Sequence, residues 1–227
     1  MSALPPPPGA VRGALLPRPL LRGWSHAVAV IPAIVATVVL AHQTRHDRLK
    51  QSTLLVYGIA SVLLFAGSAL YHLAGTGPRR RAVFRRIDHV NIFILVAATY
   101  TPIVATVLDG AWRLGILIAV WVIALVGVAA LALPGWEIPR GVRAACYVGQ
   151  GCIGIAALPR IAAAAGWSGV AILLVAGALY TLGAVAYSLR WPRLWPRVFG
   201  YHEVFHLLVI IANAGFFVFM LRRVVPD

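Results

Sequence analysis

Two short segments carry histidines at a spacing that suits a metal ion. In HEVFH, residues 202–206, His202 and His206 stand four positions apart, so on a helix their imidazoles project from adjacent turns of one face. Two histidines share a Zn²⁺ in this arrangement. In SALYH, residues 68–72, Ser68 and His72 have the same spacing and fall on one face for the same reason. A third feature is Asp88, an ionisable group at the start of an apolar run. Three imidazoles with a water in the fourth position make a tetrahedral zinc site of the catalytic type.

H-E-x-x-H is also the pattern of zinc peptidases, in which Glu203 would be the general base. Intramembrane metalloproteases add a distant Asp ligand, and LDG at residues 108–110 offers Asp109. The topology set out below puts Asp109 across the bilayer from His202 and His206, which argues against that pairing. Glu203 is rotated by about 100° from His202. It is either a base beside the metal or an interfacial carboxylate paired with an arginine, and it stays outside the proposed site. His89 points about 100° away from Asp88 and suits packing or a hydrogen bond. His42 and His46 fall in a loop on the opposite side, whereas His26 shares the side of the cluster and is a candidate for contact behind the ligands.

The elements that must position these residues are transmembrane. Of 227 residues, 61% are hydrophobic and only 11% charged, with mean hydropathy +0.87; a soluble domain carries about 25% charged residues. Apolar runs of about 18–22 residues match the length of helix that crosses a ~30 Å hydrocarbon core. They predict seven helices over 24–41, 53–73, 88–108, 112–133, 142–158, 169–189 and 201–221. Six of the seven tryptophans, Trp24, Trp112, Trp136, Trp167, Trp191 and Trp195, fall at or just outside these ends, the depth an amphipathic ring prefers.

The formal charge of +14 does not point to nucleic acid, because the basic residues sit in short loops between apolar runs instead of a patch interleaved with aromatics. Their distribution instead carries topology. With seven spans, 13 of the 20 Lys and Arg fall on the side of the N-terminus, including Arg79, Arg80, Arg81, Arg85 and Arg86. The positive-inside rule then sets the N-terminus in the cytoplasm and the C-terminus outside. Residues 1–21, with four consecutive prolines, read as a disordered tail, and residues 22–227 as one all-α, seven-helix integral membrane bundle. This topology brings His72, His202, His206 and Asp88 to one depth, near the cytoplasmic face. Ionisable groups at such positions are functional hypotheses by default. Cys146 and Cys152 lie about 9 Å apart along one helix, too far for a disulfide, and read as packing residues.

SALYH, RRIDHVNIFILVAATYTP at residues 85–102 and FGYHEVFHLLV at residues 199–209, in that order, resemble the hemolysin III family. This is the bacterial branch of the progestin and adipoQ receptor group, whose wider superfamily includes alkaline ceramidases. The resemblance runs from the first span to the last. It departs at the start, where the family often has a Glu–Asn segment and this chain reads LRGWSHAVAV, residues 21–30. It implies Zn²⁺ held by His72, His202 and His206, with the motif Asp and Ser at Asp88 and Ser68, in a bacterial inner membrane.

The favoured expectation is hydrolysis of a lipid amide. Zn²⁺ would polarise the carbonyl and activate a water, Asp88 would take the proton, and Ser68 would hydrogen-bond the water or the oxyanion. The alternatives are a non-catalytic receptor or membrane regulator clamped by structural zinc, and a pore-forming haemolysin. A pore would need polar residues through the depth of several helices, and mid-span positions here are Val, Leu, Ile, Ala and Gly.

Overall fold

Long apolar runs leave the backbone no partner in lipid except its own i−4 carbonyls, so they fold as helices. The computed structural model describes residues 21–74, 77–133, 138–195 and 197–226, and among these there is no β-strand. The helices are α1 Trp24–Gln43, α2 Arg48–Ala69 continued by a π turn Leu70–Ala74, α3 Pro78–Val107, α4 Gly110–Ala132, α5 Arg140–Cys152 followed by a 3₁₀ segment Ile153–Ala157, α6 Leu158–Leu189, and α7 Tyr201–Phe219 with a π turn Met220–Val224. Most of the proline-rich tail, residues 1–20, and Trp136 lie outside the described residues.

Six helical stretches among the described residues are long and apolar enough to cross a membrane. The departure from seven arises at Arg140–Leu189, one stretch of 50 residues where hydropathy separates two spans. The intended turn is made without a loop. A 3₁₀ segment follows α5, and within α6 Gly166 adopts φ 72°, ψ 160°, a conformation open to glycine at no steric cost. A second departure is at α3, which begins at Pro78 and not at Asp88. Pro78 occupies the first turn, where its missing N–H costs nothing. The arginine-rich segment 79–86 is therefore helical, and Asp88 sits ten residues inside the helix.

Packing runs α1 to α2, α2 to α3, α3 to α5, α5 to α6, α6 to α7 and α7 back to α1, with α4 outside against α3. The result is a ring of helices. Large apolar side chains such as Val28, Ile31 and Val35 on α1 and Leu114, Ile118 and Leu125 on α4 are exposed on its outer surface, as lipid contact requires. Many polar groups in the spans are satisfied locally or across helices, whereas Tyr180 Oη and Gln150 Oε1 are buried without a hydrogen-bond partner among the described residues. Thr37, Thr99, Thr101, Thr106 and Thr181 each donate to the carbonyl four residues back. Between helices, Tyr57 Oη donates to Asn213 Oδ1 at 2.8 Å, and Asn91 Nδ2 to the Leu63 carbonyl at 2.8 Å. Gln150 Nε2 donates to the carbonyls of Phe93 and Val120, tying α5 to α3 and α4. Cys146 and Cys152 are both exposed on α5 and do not pack in the core as expected; Cys152 lines the cavity inside the helix ring.

Candidate metal centre and cavity

His202 and His206 occupy the first two turns of α7 and are buried. His72 reaches them from the π turn that ends α2, a local widening of the helix often found at functional sites. His72 Nε2 and His202 Nε2 are 3.0 Å apart, and one ring nitrogen from each of His72, His202 and His206 falls within 4.8 Å of the others. Two nitrogens each about 2.0–2.1 Å from a tetrahedral ion lie roughly 3.3 Å apart. With one pair at 3.0 Å and the others within 4.8 Å, the three imidazoles could close on a zinc ion by shifts of up to about 1.5 Å, and nitrogen donors suit that metal.

Three neighbours orient the set. Ser25 Oγ lies 3.5 Å from His206 Nδ1, which leaves Nε2 of that ring available to a metal, the division found in ligating histidines. His26 is buried and stacks on His206 with ring centroids 3.8 Å apart and 11° between planes. Phe65 holds it edge-on from the other direction. A ring stacked parallel at that distance cannot place a nitrogen about 2 Å from an ion in the plane of His206, so His26 backs the site without ligating. Gly23 caps α1 with φ 89°, and a Cβ there would lie 2.5 Å from His72 Cβ. A side chain at this position would push α1 off the cluster. Ser25 and Gly23 escaped the sequence reading; the one available signal was their adjacency to His26.

Glu203 does neither of the things its position suggested. Its Oε2 accepts from the Gly200 N–H at 2.8 Å, tying the N-cap residue to the first turn of α7. It stabilises the helix that carries the two histidines. The signal was present in the sequence as a glutamate at the third helical position, from which its side chain reaches back to the N-cap N–H.

Asp88 on α3 and Ser68 on α2 are neighbours. Asp88 is not among the clustered ligands; it lines, with Ser68, His26 and His202, a cavity of about 490 Å³ inside the helix ring. His89, for which packing or a hydrogen bond is the sequence expectation, lines the same cavity. Beyond this polar end the walls are apolar, with Leu95, Ile103, Ile116, Ile161 and Phe216 among them. From Asp88 to Ile103 the cavity follows α3 for roughly 22 Å, more than the ~15 Å that one leaflet's acyl layer spans. The arrangement can hold a chain-like amphiphile with its polar group at the histidines.

Comparison with known proteins gives the family. A family model described as Haemolysin-III related matches residues 15–217. The chain is 28% identical over 206 residues to Hemolysin-3 of Bacillus cereus, covering 89% of this chain and 90% of that one. It is 26% identical over 200 residues to the Hemolysin-3 homolog of Bacillus subtilis (strain 168), covering 85% and 88%. With the adiponectin receptor protein of Drosophila melanogaster it shares 23% over 210 residues, 83% of this chain and 47% of the receptor.

Proposed function

Because the chain belongs to the haemolysin-III related family, we propose that it is a zinc-dependent hydrolase acting on a lipid amide. The observation that carries this reading is the opening of one buried, three-imidazole cluster into a long apolar cavity that also presents a carboxylate. His72, His202 and His206 would hold the zinc, which would supply a Lewis acid and lower the pKa of a water toward about 7. Asp88 takes the proton of the attacking water and passes it to the leaving nitrogen. Ser68, beside Asp88, donates its one hydroxyl proton to the oxyanion that develops on the acyl oxygen. His26 and Ser25 fix the ring of His206, and the apolar walls exclude bulk water.

The 50-residue stretch Arg140–Leu189 would extend about 75 Å as one straight helix, more than twice the hydrocarbon core. It packs back on itself, α5 against α6. This favours two crossings there, seven in total. With the arginine bias on the side of Arg79–Arg81 and Arg140, the N-terminus is cytoplasmic, the C-terminus external, and the metal centre near the cytoplasmic face of a bacterial inner membrane.

The test is incubation of the purified, zinc-loaded protein with N-acyl amides, including a ceramide, with release of fatty acid as readout and His202→Ala as control. Absence of zinc-dependent turnover of every acyl amide would sink the enzyme reading. The similarity to an adiponectin receptor protein favours a second reading, a non-catalytic receptor in which the metal clamps α2 to α7. In that case, losing a ligand lowers thermal stability and changes no turnover.

A further inference from the structure

The polar end of the cavity is lopsided in charge. Arg22, Arg85, Arg140 and Arg143 line it, and Asp88 is the one carboxylate among its described lining residues. A bound dication would add to the same sign. Arg22, Arg140 and Arg143 are half-buried. Arg140 lies with its guanidinium 4.6 Å from the centre of the Tyr187 ring and donates one N–H to the Tyr187 carbonyl at 3.3 Å. A guanidinium has five donors in a fixed fork, so that contact orients Arg140 and leaves most of its hydrogen-bonding capacity free. Tyr187 in turn packs against His202, ring centroids 5.6 Å apart, which brings the arginine to the metal cluster. Partly desolvated guanidiniums around a low-dielectric cavity attract an anion and match a carboxylate in two-point fashion. A neutral head group would leave their field unanswered.

We infer that the site prefers amides whose amine half carries a carboxylate, as an N-acyl amino acid does, over neutral amides. The acyl tail lies along Leu95, Ile103 and Phe216, the amide reaches the histidines, and the carboxylate meets Arg22, Arg140 and Arg143. Hydrolysis then balances simply. Water adds its oxygen to the acyl carbon, the C–N bond breaks, the nitrogen gains a proton through Asp88, and a fatty acid and a free amino acid leave. The step rests on the amide-hydrolase reading above; the charge preference does not need turnover to be seen.

The experiment compares N-palmitoylglycine with N-palmitoylethanolamine, which share tail and amide and differ in one charge. Binding to the full-length, zinc-loaded protein in nanodiscs is measured directly, alongside release of palmitate. The glycine conjugate should bind about tenfold tighter, equivalent to about 1.4 kcal/mol. The preference should shrink at least threefold in Arg22→Gln and in Arg143→Gln, and persist in Arg143→Lys. Equal binding of the two amides, tighter binding of the neutral one, or an undiminished preference in both Gln variants would overturn the inference. If the charge preference holds and neither amide is cleaved, the hydrolase reading fails and this one stands. Faster cleavage of the ethanolamide, with no binding preference, has the opposite meaning.

Discussion

Removing one imidazole separates a metal centre from a set of packed histidines. In His202→Ala, the nitrogen 3.0 Å from His72 Nε2 is deleted, and only two of the clustered donors remain. Zinc held by four ligands in small proteins is bound by about 10–16 kcal/mol, or roughly 3–4 kcal/mol per ligand. Loss of one should weaken binding by about 10²–10³-fold. Purified protein dialysed against a zinc buffer about tenfold above the wild-type Kd should then hold close to one ion per chain, and the variant about a tenth of one or less, by elemental analysis. Linkage adds a second readout. At free zinc 100-fold above Kd the wild type gains about 2.7 kcal/mol of stability, which shows as a rise in unfolding temperature that chelation reverses; the variant should show neither. Glu203→Gln is the internal control. Its amide oxygen can still accept from the Gly200 N–H, so zinc content should be unchanged and stability should fall by less than about 1 kcal/mol. Stoichiometric zinc in His202→Ala, or its loss in Glu203→Gln, would refute the assignment of ligands and cap.

Asp88→Asn should retain zinc and lose about 10²–10⁴-fold in amide hydrolysis, the usual scale for a general base, as followed by fatty-acid release. Gly23→Ala places a Cβ against His72 in a left-handed backbone conformation. It should cost about 1–2 kcal/mol from the backbone alone and weaken zinc binding, measured by thermal unfolding with and without the metal. Tyr57→Phe removes the hydroxyl that bonds Asn213 between α2 and α7. Stability in detergent should drop by about 0.6–1.7 kcal/mol while zinc content stays at the wild-type level.

Local rules carry a long way in this chain because lipid is so restrictive a solvent. Apolar runs must be helices, histidines at i and i+4 must share a face, and tryptophans and arginines must collect where the bilayer ends. On those grounds His72, His202, His206, Ser68 and Asp88 could be named from their types and spacing, as could a membrane bundle carrying them. What the sequence could not decide depends on contacts between distant segments. Whether α5 and α6 are separated by a loop or run on through a 3₁₀ segment and a kink at Gly166 turns on how the two helices pack. The contacts of Ser25 and His26 with His206 span some 180 positions of sequence, and no periodicity records them. The close approach of Gly23 to His72 reads in sequence as an ordinary glycine before a helix. Glu203 could have been read locally as a cap, but H-E-x-x-H offered a competing chemical meaning, and only the position of its carboxylate on the Gly200 N–H decided between them. The cavity, and with it the company Asp88 keeps among four arginines, exists only where several helices enclose it, because a concave space is a property of packing and not of any one segment.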